Sequence, residues 1–393
     1  MKRFLCLGLV LFLLPACVRP APATTPVQYS QPPTLALLHA TLIDGTGADP
    51  TADAVILLAG DEILAVDRAG QLAVPDGLTT VDLTGLTILP GFINAHVHRG
   101  FSKDNLKAWA EGGVTTVRDE GSSTSQLSGL KAFQAEIEAD PHYARLVSAG
   151  VMMAVPGGYG DLFVTSPEES RQAVLDEAAQ GAQAVKVALE DGYAGTTGLP
   201  KLTPEELKAI VTAAHEQNLP VSGHITQGAY LQPMLDAGVD DVAHLAYDFV
   251  SPTTLKQMVE QDVYWVPTFT VFRNYGAPAA ALRNNLRMFV ELGGKVALGN
   301  DYGGGPAQFE LGIPMYEINM MSQSGLTAMQ VIQAGTLNAA HVLRLDAQIG
   351  SVEPDKQADF VIVEGNPLED LLSLTRIKKV IHNGVIIRDE TRQ

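Results

Sequence analysis

The chain has 393 residues, of which 46% are hydrophobic and 18% are charged, and its formal net charge is -18 at pH 7. This is the composition of a globular protein with ample material for a large core. The acidic excess argues against nucleic acid as a partner, because that role needs a basic face, and it leaves the substrate open.

The first residues are typical of an export signal. Lys2 and Arg3 make a basic start, and residues 4–14 are apolar, too short to span a membrane but typical of a signal peptide. The Leu-Pro-Ala-Cys sequence that ends at Cys17 resembles a bacterial lipobox, in which Pro15 is unusual. We therefore expect export to a bacterial periplasm or cell envelope with a lipid anchor, and an ordinary secretory signal is the alternative.

Both cysteines of the chain, Cys6 and Cys17, lie in this N-terminal segment. The rest of the chain therefore offers no disulfide and no thiolate ligand, so any zinc there must be held by nitrogen and oxygen atoms. We assign residues 1–17 to the signal and lipobox segment. Residues 18–34, rich in Pro, Thr and Gln, are predicted to be a flexible tether.

The two ends of the remaining chain share a pattern of short apolar runs and turns. Residues 54–58 form such a run near the start, and Asn383-Gly384 marks a hairpin near the end. We predict that residues 35–89 and 346–391 form one small β-sandwich domain built from both termini.

The middle of the chain alternates predicted strands with predicted helices. Ser166 and Thr203 are each followed by Pro-Glu-Glu, which places a capping side chain, a proline and a glutamate where a helix begins. Regular strand–helix alternation implies a parallel sheet. The span of 90–345 suits a closed barrel, which takes roughly 250 residues. We predict an α/β fold with a (β/α)8 TIM-like barrel over 90–345.

Metal-capable side chains lie at or near the ends of short apolar runs in this barrel region. They are His96, His98, Lys186, His224, His244 and Asp301. Parallel barrels carry their catalytic groups at the carboxyl ends of strands. The pattern therefore predicts a metal site and, with it, hydrolysis by metal-bound water.

The four histidines also have structural interpretations. His96 and His98 are two residues apart, so on a strand they face the same side roughly 7 Å apart and can reach one ion. Two polar residues at a strand end are the alternative. His224 and His244 follow successive short runs and are 20 residues apart. Each alone could be a core or helix-capping residue, but together with the first pair they favour metal binding.

Lys186 and Asp301 have two interpretations each. Lys186 interrupts an apolar run, where it could pair with a carboxylate or extend its amine out of the barrel. A buried neutral lysine could instead capture carbon dioxide and become an anionic carbamate ligand. Asp301 lies in a glycine-rich turn, where it could be a turn or capping residue. It could equally be a metal ligand and the general base, which makes it our candidate catalytic residue.

These motifs, taken in order, resemble the amidohydrolase superfamily, on the branch near imidazolonepropionases and metal-dependent Xaa-Pro or Xaa-Arg dipeptidases. The similar stretches are residues 90–98 (PGFINAHVH), 112–119 (GGVTTVRD), 184–187 (AVKV), 222–224 (SGH), 299–301 (GND) and 358–367 (ADFVIVEGNP). The resemblance extends from about Leu35 to Ile387. Each motif is short, but their shared order and spacing are specific.

The resemblance implies two divalent metal ions, with Zn²⁺ first and Mn²⁺ or Co²⁺ as alternatives. By position, His96, His98 and Asp301 would hold the more buried ion. His224 and His244 would hold the second.

The resemblance also implies how the ions would act. Lys186, carbamylated by carbon dioxide, would bridge them. A hydroxide between the ions would be the nucleophile, and Asp301 would move its proton to the leaving group. Gly223 and Leu245, beside the third and fourth histidines, stand where relatives often carry Ala and Gly.

We interpret the chain as an exported amidohydrolase that cleaves the C–N bond of a dipeptide, an N-acyl amino acid or a cyclic amide. A mononuclear imidazolone hydrolase or deaminase, or a lactonase, on the same barrel is one alternative. Deaminases of this superfamily usually carry His-x-x-Glu at the fifth barrel strand. In this chain the third residue after His224 is Gln227. A ligand-binding lipoprotein with a vestigial site is the other alternative. The expected partner is a small molecule, membrane contact is expected only through a lipid anchor, and the oligomeric state stays open.

Other side chains have weaker signals. Four are candidates for substrate contact, each with an ordinary structural role as the alternative: Tyr159, Tyr247, Arg118 and Arg273. His215 and His341 fall on predicted helices, where surface or packing roles are expected.

Overall fold

The computed structural model of the chain describes residues 29, 31–192, 197–273, 276–303 and 309–391. The predicted signal segment, with Cys17, and most of the predicted tether lie outside the described residues. The chain divides into two units, Met1–Pro32 and Pro33–Gln393. None of the helices in the described ranges has the length and apolar composition that a membrane crossing needs.

The second unit mixes strands and helices, with strands alone at both ends and alternation between them. Its strands are β1 (Leu35–Leu42), β2 (Thr51–Ala59), β3 (Glu62–Arg68), β4 (Thr79–Asp82), β5 (Leu86–Pro90), β6 (Phe92–Val97), β7 (Val114–Asp119), β8 (Arg145–Ser148), β9 (Met153–Ala154), β10 (Leu162–Phe163), β11 (Val185–Ala188), β12 (Val221–His224), β13 (Asp241–Ala243), β14 (Tyr264–Val266), β15 (Phe360–Glu364), β16 (Ile377–His382) and β17 (Val385–Asp389). Its α-helices are α1 (Lys103–Glu111), α2 (Thr124–Glu138), α3 (Pro167–Gln180), α4 (Pro204–Glu216), α5 (Leu231–Ala237), α6 (Pro252–Glu260), α7 (Phe269–Phe272), α8 (Ala279–Glu291), α9 (Met315–Gln323), α10 (Ala328–Ala334) and α11 (Leu337–Val342). Short 3-10 helices cover Gly228–Tyr230 and Leu371–Thr375.

One sheet joins the two ends of this unit. Its order is β17-β16-β15-β5-β1-β2-β3, with β4 paired to β1. The antiparallel pair of β5 and β15 connects the N-terminal and C-terminal strands. Alternate residues such as Leu37, Ile56 and Phe360 pack into one buried apolar cluster, as period-2 patterning requires. The predicted hairpin at Asn383-Gly384 is confirmed, because His382 pairs with Val385 across it.

The middle of the chain forms parallel strands. β6, β7 and β8 make one sheet, and β10-β9-β11-β12-β13-β14 make another. A backbone hydrogen bond from Gln183 to Ser148, at 2.8 Å, links the two sheets, and one from Ala95 to Leu298, at 2.7 Å, joins β6 to segment 296–300. An isolated parallel bridge joins β14 to residue 296. Strands that run in one direction bring their carboxyl ends to one face, which is where the candidate site lies.

The helix-start signals predict these helices correctly. The Ser166 side chain accepts a hydrogen bond from the Glu169 N–H and caps α3. Thr203 and Glu206 form a reciprocal capping box at the start of α4. Each cap satisfies backbone donors that the first helical turn leaves open, which fixes where the helix begins.

Charged side chains fill part of the interior between the parallel strands. Arg118 is fully buried on β7 and makes a two-pronged contact with Asp241, at 2.8 Å (Nη1–Oδ2) and 2.9 Å (Nη2–Oδ1). Its Nε donates to the Ala95 carbonyl at 2.8 Å and also contacts the Glu120 carboxylate. Substrate contact by Arg118 is therefore the wrong interpretation, and its structural alternative holds: the side chain ties β6, β7 and β13 together.

The buried contacts of Arg118 predict that loss of one partner strongly lowers the stability of the protein. Asp241→Ala should lower the free energy of unfolding by about 3–5 kcal/mol, because it leaves the buried Arg118 guanidinium short of a partner. Urea unfolding followed by circular dichroism measures this. Glu260→Ala is the control, since it removes one carboxylate of an exposed helix pair with Lys256 and should change stability by less than about 1 kcal/mol. Equal effects of the two substitutions would contradict the structural role of Asp241.

Candidate metal centre

The side chains singled out in the sequence converge at the carboxyl ends of the parallel strands. His96 lies on β6 and His98 directly after it, and His224 is the last residue of β12. His244 follows β13, and Asp301 follows the segment 296–300. Direct contacts connect these five side chains, while Lys186 on β11 contacts other residues.

Asp301 joins the first two histidines. Its Oδ1 lies 3.2 Å from His96 Nε2 and 3.0 Å from His98 Nε2. Burial alone would raise the pKa of Asp301, but its close contacts with the two imidazoles hold it well below its usual range. The carboxylate is therefore ionised and available to a cation.

The pKa values of the two imidazoles in this group are shifted in opposite directions. Burial, reinforced by the charge of Lys186, lowers the pKa of His96 to about 4, so its ring is neutral near pH 7. Burial acts in the same direction on His98, but its contact with Asp301 raises the pKa of His98. The His96 Nδ1 atom is buried without a hydrogen-bond partner.

His224 and His244 form a second group. His224 Nδ1 and His244 Nε2 are 3.0 Å apart, and both rings are buried. Burial lowers the pKa of His224, and burial beside the His224 ring lowers the pKa of His244 well below its usual range. Neutral imidazoles present the lone pairs that metal ions bind.

The two groups lie next to each other. The rings of His96 and His244 have centroids 4.9 Å apart. One ligand atom from each of His96, His244 and Asp301 lies within 4.8 Å of the others. These three side chains could together hold one ion, a grouping that takes His244 from the set predicted for the second ion.

These separations fit divalent metal ions. A tetrahedral zinc ion with metal–nitrogen distances of about 2.0–2.1 Å separates two of its ligand atoms by roughly 3.3 Å. The His96–Asp301, His98–Asp301 and His224–His244 separations are 3.2, 3.0 and 3.0 Å. The donor set of imidazole nitrogen and carboxylate oxygen also suits zinc. The assignment of each residue as a ligand stays a prediction.

Lys186 is buried and paired with a carboxylate. Its Nζ lies 2.7 Å from Glu120 Oε2 and donates to Ser222 Oγ at 3.3 Å. Burial would raise the pKa of Glu120, but the charges of Arg118 and Lys186 lower it to about 2. The unmodified lysine thus matches the ion-pair interpretation, and the carbamate stays a prediction.

Two side chains that the sequence analysis did not single out hold the second group of histidines. Glu190 Oε2 lies 3.3 Å from His224 Nε2, and Thr268 Oγ1 lies 2.5 Å from His244 Nδ1. Burial would raise the pKa of Glu190, but hydrogen bonds from His224 and its neighbours lower it. Glu190 follows a short apolar run, as the predicted metal ligands do, so the search for polar residues at the ends of such runs could have found it. Thr268 lies outside any strand in a left-handed backbone conformation, which no local signal predicts.

Close packing explains one glycine beside the site. A Cβ added to Gly299 would lie 2.7 Å from His96 Cβ and 2.4 Å from Val266 Cγ1. The glycine therefore lets segment 296–300 lie against β6, where the Asp301 N–H donates to the His96 carbonyl at 2.9 Å. At position 223 an added Cβ would lie 2.8 Å from Met234 Sδ, part of a flexible side chain that could move aside.

The remaining candidates for substrate contact differ in position. The half-buried Tyr159 ring lies 4.6 Å from the His224 ring, centroid to centroid. Tyr247 is also half-buried. Arg273 is exposed, with its guanidinium carbon 4.1 Å from the centre of the Tyr316 ring. Tyr159 is therefore the candidate that touches a metal-capable residue.

The histidines expected to have surface roles contact carboxylates away from the candidate site. His215 Nε2 lies 2.9 Å from Asp240 Oδ2, and His341 Nδ1 lies 3.3 Å from Asp346 Oδ2. Both pairs are partly exposed. Surface roles for the two histidines agree with the sequence analysis.

Comparison with known proteins gives consistent matches. A model of the Amidohydrolase family matches residues 87–387. An ochratoxinase of Aspergillus niger is 29% identical over 309 residues, which are 72% of this chain and 62% of that protein. An enamidase of Eubacterium barkeri is 24% identical over 380 residues, covering 88% of this chain and 92% of the enamidase. The crystal structure of a Xaa-Pro dipeptidase with bound methionine in the active site superposes with a TM-score of 0.78 at 25% identity, covering 90% of this chain and 99% of that one. These similarities give the chain a TIM-barrel-like α/β fold.

Proposed function

The chain belongs to the amidohydrolase family, and we propose that it is an exported, metal-dependent hydrolase that cleaves amide bonds. The observation that carries this proposal is the contact of Asp301 with His96 and His98 beside the neutral His224–His244 pair. The names of the ochratoxinase and the Xaa-Pro dipeptidase support a hydrolytic function, although this chain spans only 62% of the ochratoxinase.

In this proposal the chain's own residues divide the work. His96, His98 and Asp301 would hold one divalent ion, and His224 and His244 the other. When bound, such ions acidify water and polarise a carbonyl. Asp301, ionised at neutral pH, would take a proton from the attacking water and deliver it to the departing nitrogen. An amine leaves readily only after it is protonated, so this transfer suits an amide.

We place a carbamate on Lys186 in the metal-loaded enzyme. The ammonium would first lose a proton, and the neutral amine would then bond to the carbon of carbon dioxide with loss of a second proton. The product would lie next to the ionised Glu120, which is 2.7 Å from Nζ in the unmodified protein. Two adjacent buried anions are costly unless cations offset them. Carbamylation should therefore accompany metal binding.

The architecture we propose is a closed (β/α)8 barrel over 90–345. The continuous hydrogen bonds from β6 through β14 to segment 296–300 support it. The sheet that pairs β5 with β15 supports one β domain built from 35–89 and 346–391, and the sandwich form of this domain is part of the proposal.

The substrate class we propose is a dipeptide, an N-acyl amino acid or a cyclic amide. Tyr159, whose ring lies against His224, would contact the substrate beside the second ion. Export, with lipidation at Cys17, rests on the sequence alone.

Replacement of the proposed base tests the reaction. Asp301→Asn should lower kcat by at least about 100-fold, because positioned proton transfer contributes roughly 10²–10⁴-fold. Release of free amino acid from dipeptides and N-acyl amino acids measures this, and activated esters should suffer less. Asp262→Asn, at an exposed ion pair with Lys295, is the control. Near-normal amide turnover in Asp301→Asn would sink the role of Asp301, and release of ammonia alone from amino-heterocycles would favour a deaminase.

Metal analysis tests the bridging role of Lys186. Protein purified with Zn²⁺ and bicarbonate should approach two equivalents of zinc, and Lys186→Ala should lose at least one, because the bridging anion is gone. Wild-type protein prepared without carbon dioxide should resemble this variant. Lys256→Ala, an exposed lysine on α6, should keep both ions. Full occupancy in Lys186→Ala would rule out the carbamate.

Cell fractionation tests the anchor. Cys17→Ser should move the protein from the membrane fraction to the soluble envelope fraction, because the modified residue is lost. Cys6→Ser, within the apolar stretch, is the matched control and should leave the distribution unchanged. An unaltered membrane fraction in Cys17→Ser would show that the lipobox is not used.

A further inference from the structure

Glu190 has hydrogen-bonding partners at both of its carboxylate oxygens. Its side chain is fully buried just beyond β11. Its Oε1 accepts the Gly192 N–H at 2.8 Å. Its Oε2 accepts the Thr226 hydroxyl at 2.6 Å and lies 3.3 Å from His224 Nε2. A carboxylate in this position faces the histidine from the side opposite His244.

The contact fixes which nitrogen of His224 carries hydrogen. An ionised carboxylate has no hydrogen to donate, so the hydrogen between it and His224 must lie on Nε2. In a neutral imidazole the other nitrogen, Nδ1, then carries a lone pair. This is the atom that lies 3.0 Å from His244 Nε2.

The ring of His224 is also held from its face. The Tyr159 ring lies 4.6 Å away at an interplanar angle of 31°. The tyrosine restricts the tilt of the ring, whereas the carboxylate distinguishes its two nitrogens. A flip that exchanged the two edges of the ring would break the contact with Glu190.

We propose that Glu190 is a positioning residue that fixes His224 with Nε2 protonated and Nδ1 directed at the second metal position. This inference rests on the proposed binuclear function. It assigns the two histidines of the second group different supports, a carboxylate for His224 and the Thr268 hydroxyl for His244. Carboxylates behind a histidine ligand raise its basicity and orient it, and their loss typically weakens metal binding about 10- to 100-fold.

Zinc titration of metal-free protein tests the proposal. Wild-type protein should bind two equivalents. Glu190→Ala should keep the first equivalent and weaken the second by about 10- to 100-fold. Glu190→Gln retains an acceptor oxygen and should weaken it less. Glu177→Gln is the matched control, because Glu177 is another buried glutamate that accepts a backbone N–H, from Val151 at 2.7 Å, and should bind zinc as the wild type does.

A second measurement does not depend on metal. In nitrogen-15 spectra of metal-free, histidine-labelled protein, the His224 signals should report hydrogen on Nε2, and Glu190→Ala should lose this preference. The signals are assigned by their absence in His224→Gln. If Glu190→Ala fails to fold, Glu190→Gln carries both measurements.

The outcomes separate the two proposals. Unchanged binding of the second equivalent and an unchanged His224 tautomer in the Glu190 variants would overturn the positioning role. A wild type that binds one equivalent would overturn the binuclear function, and the tautomer would still decide whether Glu190 orients His224. A general loss of both equivalents in Glu177→Gln as well would show that any buried glutamate has this effect, which also overturns the proposal.

Discussion

The buried ion pairs of Arg118 are the constraint on which the candidate site depends. Arg118 contacts the Ala95 carbonyl on β6, Glu120 beyond β7 and Asp241 on β13, and Glu120 in turn contacts Lys186 on β11. These strands carry or directly precede most of the metal-capable side chains. A buried charge without a partner is strongly destabilising, so each strand is held in the one register that keeps the charges paired. The rigidity that a metal site needs therefore comes from charges in the interior as well as from apolar packing.

The same interior has an uneven distribution of charge. Arg118 and Lys186 balance Glu120 and Asp241, whereas Asp301 and Glu190 face imidazoles. Burial keeps the pKa of His96, His224 and His244 low, so these rings add no positive charge near neutral pH. An excess of negative charge surrounded by neutral nitrogen donors is the environment that favours a divalent cation over a proton.

Residues whose signals are local could be predicted from the sequence. The caps at Ser166 and Thr203 depend on three or four neighbouring residues, and both helices begin as predicted. The expectation that catalytic groups lie at the carboxyl ends of parallel strands likewise located the residues that converge on one face. Partners distant in sequence could not be predicted, because Glu190 meets His224 across 34 positions and Thr268 meets His244 across 24, and both contacts depend on the register of the sheet.

Arg118 shows a different limit of the sequence. Every residue of β7 is buried, and a strand buried on both sides has no alternation that tells which side chains face the interior. An arginine there has the same local pattern whether it binds a substrate or pairs with a carboxylate. The distinction depends on Asp241, which is 123 positions away.

The balance of charge also supports the proposed carbamate. Two divalent ions side by side repel each other, and the His224–His244 pair offers the second ion only neutral ligands. Conversion of Lys186 from ammonium to carbamate would change its charge from +1 to -1, a difference equal to the charge of one divalent ion. The lysine that balances Glu120 in the metal-free protein could thus become the anion that balances the second ion. Glu120 would then keep Arg118 as its cationic partner, shared with Asp241, and the divalent ions would replace the positive charge that the Lys186 ammonium gives up.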